Sequence, residues 1–151
     1  MKPEEILSQF LKKEKRILHL GGDSSLKDLT DADQYTQVQI SSANDLEKIE
    51  NTGFDYVILS DVLELVEDPQ EVIKQAKNMA KSTIIYEFKY DEDCVVDPSW
   101  KQTWKTVGLE FFLTREFDWV NDIYLGYATI HICEMPYNGG LLDKETPDAI
   151  R

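Results

Sequence analysis

The stretch FDYVILSDVLELVEDP, Phe54 to Pro69, decides how this chain folds. Its opening DYVILS is a continuous apolar run, not an alternating one. Such a run fits a strand of a parallel sheet that is covered on both faces. A short acidic turn follows. Asp68, Pro69, Gln70 and Glu71 then read as a helix start: Asp68 can cap, Pro69 suits the first helical position, and Glu71 completes a capping-box pattern. Val72, Ile73, Ala76 and Met79 carry the helix to about Lys81, and STIIYEFKY is the next strand.

Upstream, KPEEILSQFLKKEKR predicts a helix. Pro3, Glu4 and Glu5 stand at its start, Ile6, Leu7, Phe10 and Leu11 form one apolar stripe, and the basic residues fall in the last turn. RILHL reads as a short buried strand ended by Gly21 and Gly22. DSSLKDLTDADQ is polar, with Leu26 and Leu29 as anchors, and has room for one or two helical turns. YTQVQIS alternates as a strand, with Val38 and Ile40 opposite Gln37 and Gln39, and SANDLEKIENTG is a short helix ended by Gly53.

Downstream, DPSWKQTWKTVG repeats the Asp-Pro start and predicts a helix ended by Gly108. LEFFLTREFDWV reads as a long strand with Leu109, Phe111, Leu113, Phe117 and Trp119 on one face. YATIHICE is another, with Ala128, Ile130 and Ile132 on one face, and NDIYLG between them allows an antiparallel hairpin. Strands alternate with helices up to Gly108 and a hairpin closes the chain. The expected fold is therefore α/β: a Rossmann-like, mostly parallel sheet flanked by helices, with a C-terminal antiparallel hairpin. Residues 1–137 form one expected domain, and 138–151, with glycines, a proline and no periodicity, an exposed tail.

Composition narrows the function. The 151 residues fit one domain with a real core. With 29 acidic and 16 basic residues the formal net charge is -13, a surface that repels phosphate backbones and argues against nucleic acid as a partner. No apolar run is long enough to span a membrane. The two cysteines, Cys94 and Cys133, have no metal-like spacing; free thiols in a cytoplasmic protein are the simplest reading, with a disulfide the alternative. No nucleophile elbow, P-loop, HExxH or CxxC pattern is present. His19 and His131 sit inside strand-like runs, where a histidine is more often packed than catalytic. The aromatic residues Trp100, Trp104, Phe111, Phe117 and Trp119 fall at core spacing. Phe112 falls on the polar face, where a single apolar residue can mark a contact site but is slight evidence alone.

From Arg16 to Tyr137 the chain resembles class I S-adenosylmethionine (SAM) methyltransferases. The likeness is strongest in FDYVILSDVLELVEDPQEVIKQAKNMAKSTIIYEF, and the terminal GLEFF and GYATIHICEMPY are similar to the family's final strand pair. The resemblance implies SAM as cofactor, held at the carboxyl ends of the strands. It places Gly21, Gly22, Asp23, Ser41, Asp61 and Val62 at that cofactor, with Glu64 beside the same crevice; Asp61 and Glu64 equally suit solvated turn positions.

The departures bear on activity. In the family the first strand ends in an acid followed by a glycine-rich loop; here His19 stands at the acid's place, and Asp23, Ser24 and Ser25 replace the later glycines. Gly21 and Gly22 also serve any tight strand-ending turn. Between Leu20 and Phe54 there is room for about one strand-helix-strand unit of about 30 residues, where the family fits nearly two. The strand YTQVQISS ends in Ser41 and Ser42 and not in the ribose-binding acid. Asp45, the nearest carboxylate, equally suits the first turn of the next helix. The reading is a methyltransferase-like binding or regulatory module, a pseudoenzyme with weak or no SAM binding. The alternative is a minimal active methyltransferase on a small molecule or protein side chain. Residues of the catalytic step are not assigned. The hairpin edge from Leu109 to Glu134 is expected to pair with another chain, most simply a second copy in a homo-oligomer.

Overall fold

Arg16–Gly21 forms the first strand, β1, buried along all but its first residue. The computed structural model describes residues 3–9, 11, 15–30, 32, 34–49, 53–88, 106–125 and 128–134. The chain order is α1 (Pro3–Ser8), β1, α2 (Ser25–Leu29), β2 (Gln34–Val38), α3 (Asn44–Glu47), β3 (Phe54–Ser60), α4 (Pro69–Met79), β4 (Ala80–Phe88), α5 (Thr106–Glu116), β5 (Trp119–Tyr124) and β6 (Ala128–Glu134). One six-stranded sheet runs in the order β2-β1-β3-β4-β6-β5. The first four strands are parallel, as the sequence predicts, and β6 joins β4 antiparallel with β5 antiparallel outside it.

The apolar runs of β1, β3 and β6 occupy the middle of this sheet and are covered twice. Leu18, Leu20, Val57, Leu59 and Ile85 pack against α3, α4 and α5 on one face. Ile17, Tyr56, Ile58, Ile84, Ile130 and Ile132 pack against Leu7 of α1 and Leu26 of α2 on the other. The edge strands β2 and β5 carry no fully buried residue, consistent with their alternating polar sequences. One strand, β2, lies between β1 and β3 in the chain, flanked by two very short helices.

Several expectations need correction. The segment Leu109–Glu116 is not a strand but most of α5, so Gly108 lies inside a helix and does not end one; NDIYLG supplies Asn121–Tyr124 to β5. The reason is that Leu109, Phe111 and Leu113 alternate while Leu109, Phe112, Leu113 and Phe117 repeat at helical spacing, and the helical set is the one that reaches the core. Phe111 is consequently exposed, and Phe112 is packed against the core rather than presented as a contact surface. The first helix stops at Ser8, ahead of the basic run, and β2 spans Gln34–Val38, ending before Ile40 and Ser41 of the expected YTQVQIS strand. The third ends at Glu47, well before Gly53, and α4 ends at Met79, where Ala80 begins β4 directly. Leu29 is exposed, leaving Leu26 as the anchor of α2. Pro69 does open α4, but Asp68 makes no side-chain cap. Its Oδ1 accepts from the Ala43 amide at 3.1 Å instead, tying the start of α4 to the start of α3. Expectations for the Asp97–Pro98 helix, Trp100, Trp104, Cys94 and the tail fall outside the described residues. Cys133 is a free, buried thiol, and its burial raises its pKa.

Candidate functional site

The carboxyl ends of β1, β3 and β4 open into a cleft of about 90 Å³ lined by Glu4, Leu7, His19, Gly22, Asp23, Leu26, Ser60, Asp61 and Tyr86. Its floor is set by the turn that ends β1. Gly21 and Gly22 have φ of 76° and 68°, a region that glycine enters without penalty. Neither could carry a side chain in place. A Cβ at Gly21 would meet the Ser60 carbonyl at 2.8 Å, and one at Gly22 would meet His19 Nε2 at 2.8 Å. The doublet is therefore required by the packing of β1 against β3 and by the histidine beneath it.

His19 is buried and bonded at both nitrogens. Nδ1 lies 2.5 Å from the Tyr35 hydroxyl and Nε2 lies 2.8 Å from Ser60 Oγ. The phenol is the better donor, so Nδ1 accepts from it and Nε2–H donates to the serine. Burial pushes the His19 pKa down to about 4, with nearby Asp23 opposing. Burial likewise raises that of Tyr35 above the ordinary phenol value. At neutral pH the His19–Tyr35–Ser60 chain is uncharged. It joins β2, β1 and β3 across the sheet.

The carbonyls of the glycine turn are occupied by β2 and the residue after it. The Gln37 amide donates to the Gly21 carbonyl at 3.1 Å and to the Asp23 carbonyl at 2.7 Å, and Gln39 donates to the Gly22 carbonyl at 3.0 Å. Asp23 accepts from the Ser25 amide at 2.9 Å, and its hydrogen bonds with Ser25 hold its carboxyl below the usual range. Asp61, with φ of 51°, turns the chain off β3, and its amide donates to the Tyr86 carbonyl at 3.0 Å.

Of the six residues the resemblance places at a cofactor, the fold gathers Gly22, Asp23 and Asp61 around the cleft, with Gly21 directly behind them. Val62 is buried in the core against Gly21. Ser41 lies at the start of α3: the Asp45 carboxylate accepts from the Ser41 amide at 2.8 Å, the Ser41 hydroxyl at 3.1 Å and the Ser42 amide at 3.3 Å. Asp45 is thus the first-turn residue that one of the two sequence readings allowed, and these bonds lower its pKa. Glu64 is buried. Sequence reasoning missed Tyr35, Gln37, Gln39 and Ser60. Their signal was parity: Tyr35, Gln37 and Gln39 share one face of YTQVQIS, and the polar face of an edge strand beside a glycine turn is a natural latch.

Chemically, the cleft presents three carboxylic side chains and a neutral hydrogen-bonded imidazole. Sites that take drug-sized ligands run to about 300–1,000 Å³.

The profile of the family described as methionine biosynthesis protein MetW matches residues 4–105 of the chain. No curated protein matches it by sequence. Among solved structures, an O-methyltransferase family protein from Burkholderia thailandensis superposes with a TM-score of 0.63 at 14% identity, over 87% of this chain and 54% of that one; the chain spans about half of that protein. A SAM-dependent methyltransferase from Aquifex aeolicus gives 0.61 at 14% identity, over 89% of both chains. A SAM-dependent methyltransferase from Thermotoga maritima, described as a possible histamine N-methyltransferase, gives 0.62 at 12% identity over 87% of both. Identities this low establish a methyltransferase-like fold and nothing finer.

Proposed function

The chain belongs to the family of methionine biosynthesis protein MetW, and from that premise we propose that it is a methyltransferase-like binding or regulatory module that holds SAM weakly or not at all. The observation that carries this reading is the filled glycine turn. His19 stands where the resemblance calls for an acid, and its imidazole packs directly beneath Gly22. The turn's carbonyls are already taken by Gln37 and Gln39. The cleft that remains is small. Losing a hydrogen bond to a charged or buried polar group costs about 1.5–3 kcal/mol. Two such losses move a micromolar site towards a millimolar one.

A second reading, a minimal active methyltransferase, is favoured by the two SAM-dependent neighbours that align along most of both chains. Calorimetric titration of the whole chain with SAM and with S-adenosylhomocysteine separates the two. The module reading expects no saturable binding below about 10 μM. Tighter binding of either compound removes it and promotes the enzyme.

A module needs a partner. The sheet offers β5 as an edge strand, and an edge with free amides and carbonyls is a template for strand addition. The partner proposed there is a second copy of the chain, in a cytoplasmic setting. Among the described residues no helix is long and apolar enough to cross a membrane.

A further inference from the structure

At the far side of the sheet from the cleft, β5 and β6 bring together a second group of polar side chains. The register sets Asp122 directly opposite His131. His131 is 1% exposed, and its Nδ1 lies 2.6 Å from Asp122 Oδ1. Asp122 and Tyr124 lie two residues apart on one strand and so share a face. That face meets α5. The Tyr124 hydroxyl donates to Glu110 Oε1 at 2.8 Å and lies 3.3 Å from Asp122 Oδ2. One donor atom each from Glu110, Asp122 and His131 falls within 4.8 Å of the others.

We propose that Glu110, Asp122 and His131 form a binding site for one divalent transition-metal ion of the zinc, cobalt or manganese kind. Two carboxylates and a nearly inaccessible imidazole nitrogen converge from three separate elements. Between the carboxylates stands a single phenol, whose one proton cannot serve both. A dication answers that excess charge better than one shared proton does. The donor set selects the ion: imidazole with carboxylates suits zinc, cobalt or manganese, whereas magnesium and calcium take all-oxygen shells.

The geometry is close to what coordination needs. Metal–ligand bonds of about 2.0–2.2 Å put neighbouring donors about 3 Å apart. His131 Nδ1 and Asp122 Oδ1 now share a proton at 2.6 Å, so an ion would displace that proton and part the two atoms by a few tenths of an ångström. The remaining gap lies at Glu110, a half-buried side chain with three rotatable bonds. Tyr124, mostly exposed, stands ready as a fourth oxygen or as a hydrogen-bond donor to a ligating carboxylate. An ion here would clamp α5 to the edge hairpin. The site shares no residue with the cleft, so it stands or falls independently of SAM binding.

The test is cobalt(II) titration of the intact chain, followed by its visible ligand-field absorption, with zinc calorimetry as a second measure. The expected result is one ion per chain and no sulfur-to-cobalt charge-transfer band, because the site contains no thiolate. Asp122→Asn and Glu110→Gln should each weaken binding by at least about 10-fold, since even outer-shell losses cost that much. Both residues are only partly buried, so the variants should keep the wild-type circular dichroism even if His131→Gln fails to fold. Absence of saturable uptake by the wild-type chain overturns the proposal. So does binding that survives either substitution, or a spectrum dominated by thiolate.

Discussion

His19 is the residue on which the site turns. Its position in a strand was legible, and so was the expectation that it packs instead of catalysing. Its partners were not, because Tyr35 and Ser60 reach it from neighbouring strands whose register only the sheet defines. The same holds for Gln37 and Gln39, which look like solvated positions until the glycine turn is seen beside them. The buried imidazole gives stability a pH dependence whose sign is fixed. Its native pKa of about 4 lies below the ordinary 6.5. Between those values the unfolded chain binds a proton that the native chain refuses, so stability falls as pH drops from 6.5 towards 4. The contribution is complete above pH 6.5, and its full loss amounts to roughly 3 kcal/mol, at 1.36 kcal/mol per pH unit. Urea unfolding at a series of pH values checks this: His19→Gln should lose distinctly less stability than the wild type on acidification. Parallel slopes for the two proteins would remove His19 as the titrating group.

At the scale of elements, the continuous apolar run of β3 and the Asp-Pro start of α4 identified a parallel core from a single stretch of sequence. The C-terminal half was harder because LEFFLTREF carries two periodicities at once. Leu109, Phe111 and Leu113 alternate; Leu109, Phe112, Leu113 and Phe117 follow a helix. The adjacent pair Phe111 and Phe112 satisfies both, and only the position of α4 and β4 beneath the segment decides. In the helix, Leu113 is fully buried while Phe111 is 64% exposed, with Arg115 over its ring. Truncation should therefore separate residues that a strand would treat alike. Leu113→Ala should cost about 2–5 kcal/mol, as large-to-small changes in cores do. Phe111→Ala should stay within about 0.5 kcal/mol, as surface changes do. Denaturant midpoints of the two variants measure this, and equal, large losses would restore the strand.

For the whole molecule the governing quantities are the outer position of β5 among the described strands and the charge of -13. They oppose each other when two copies meet. Strand pairing through β5 would bring like-charged surfaces together, with Asp118 just before β5 and Asp122 within it. Raising ionic strength from 0.01 to 0.15 M shortens the screening length from about 30 to about 8 Å. That weakens repulsion between the copies while leaving backbone hydrogen bonds across the new strand pair nearly unchanged. Self-association through β5 should therefore strengthen with salt. A different partner, chosen for a basic surface complementary to this acidic one, would show the reverse, because salt screens attraction as readily as repulsion. Light scattering at micromolar concentration across this range of salt reads the sign directly. A mass that rises with salt supports the second-copy partner. A strict monomer at every ionic strength excludes that partner and leaves the edge to a heterologous chain.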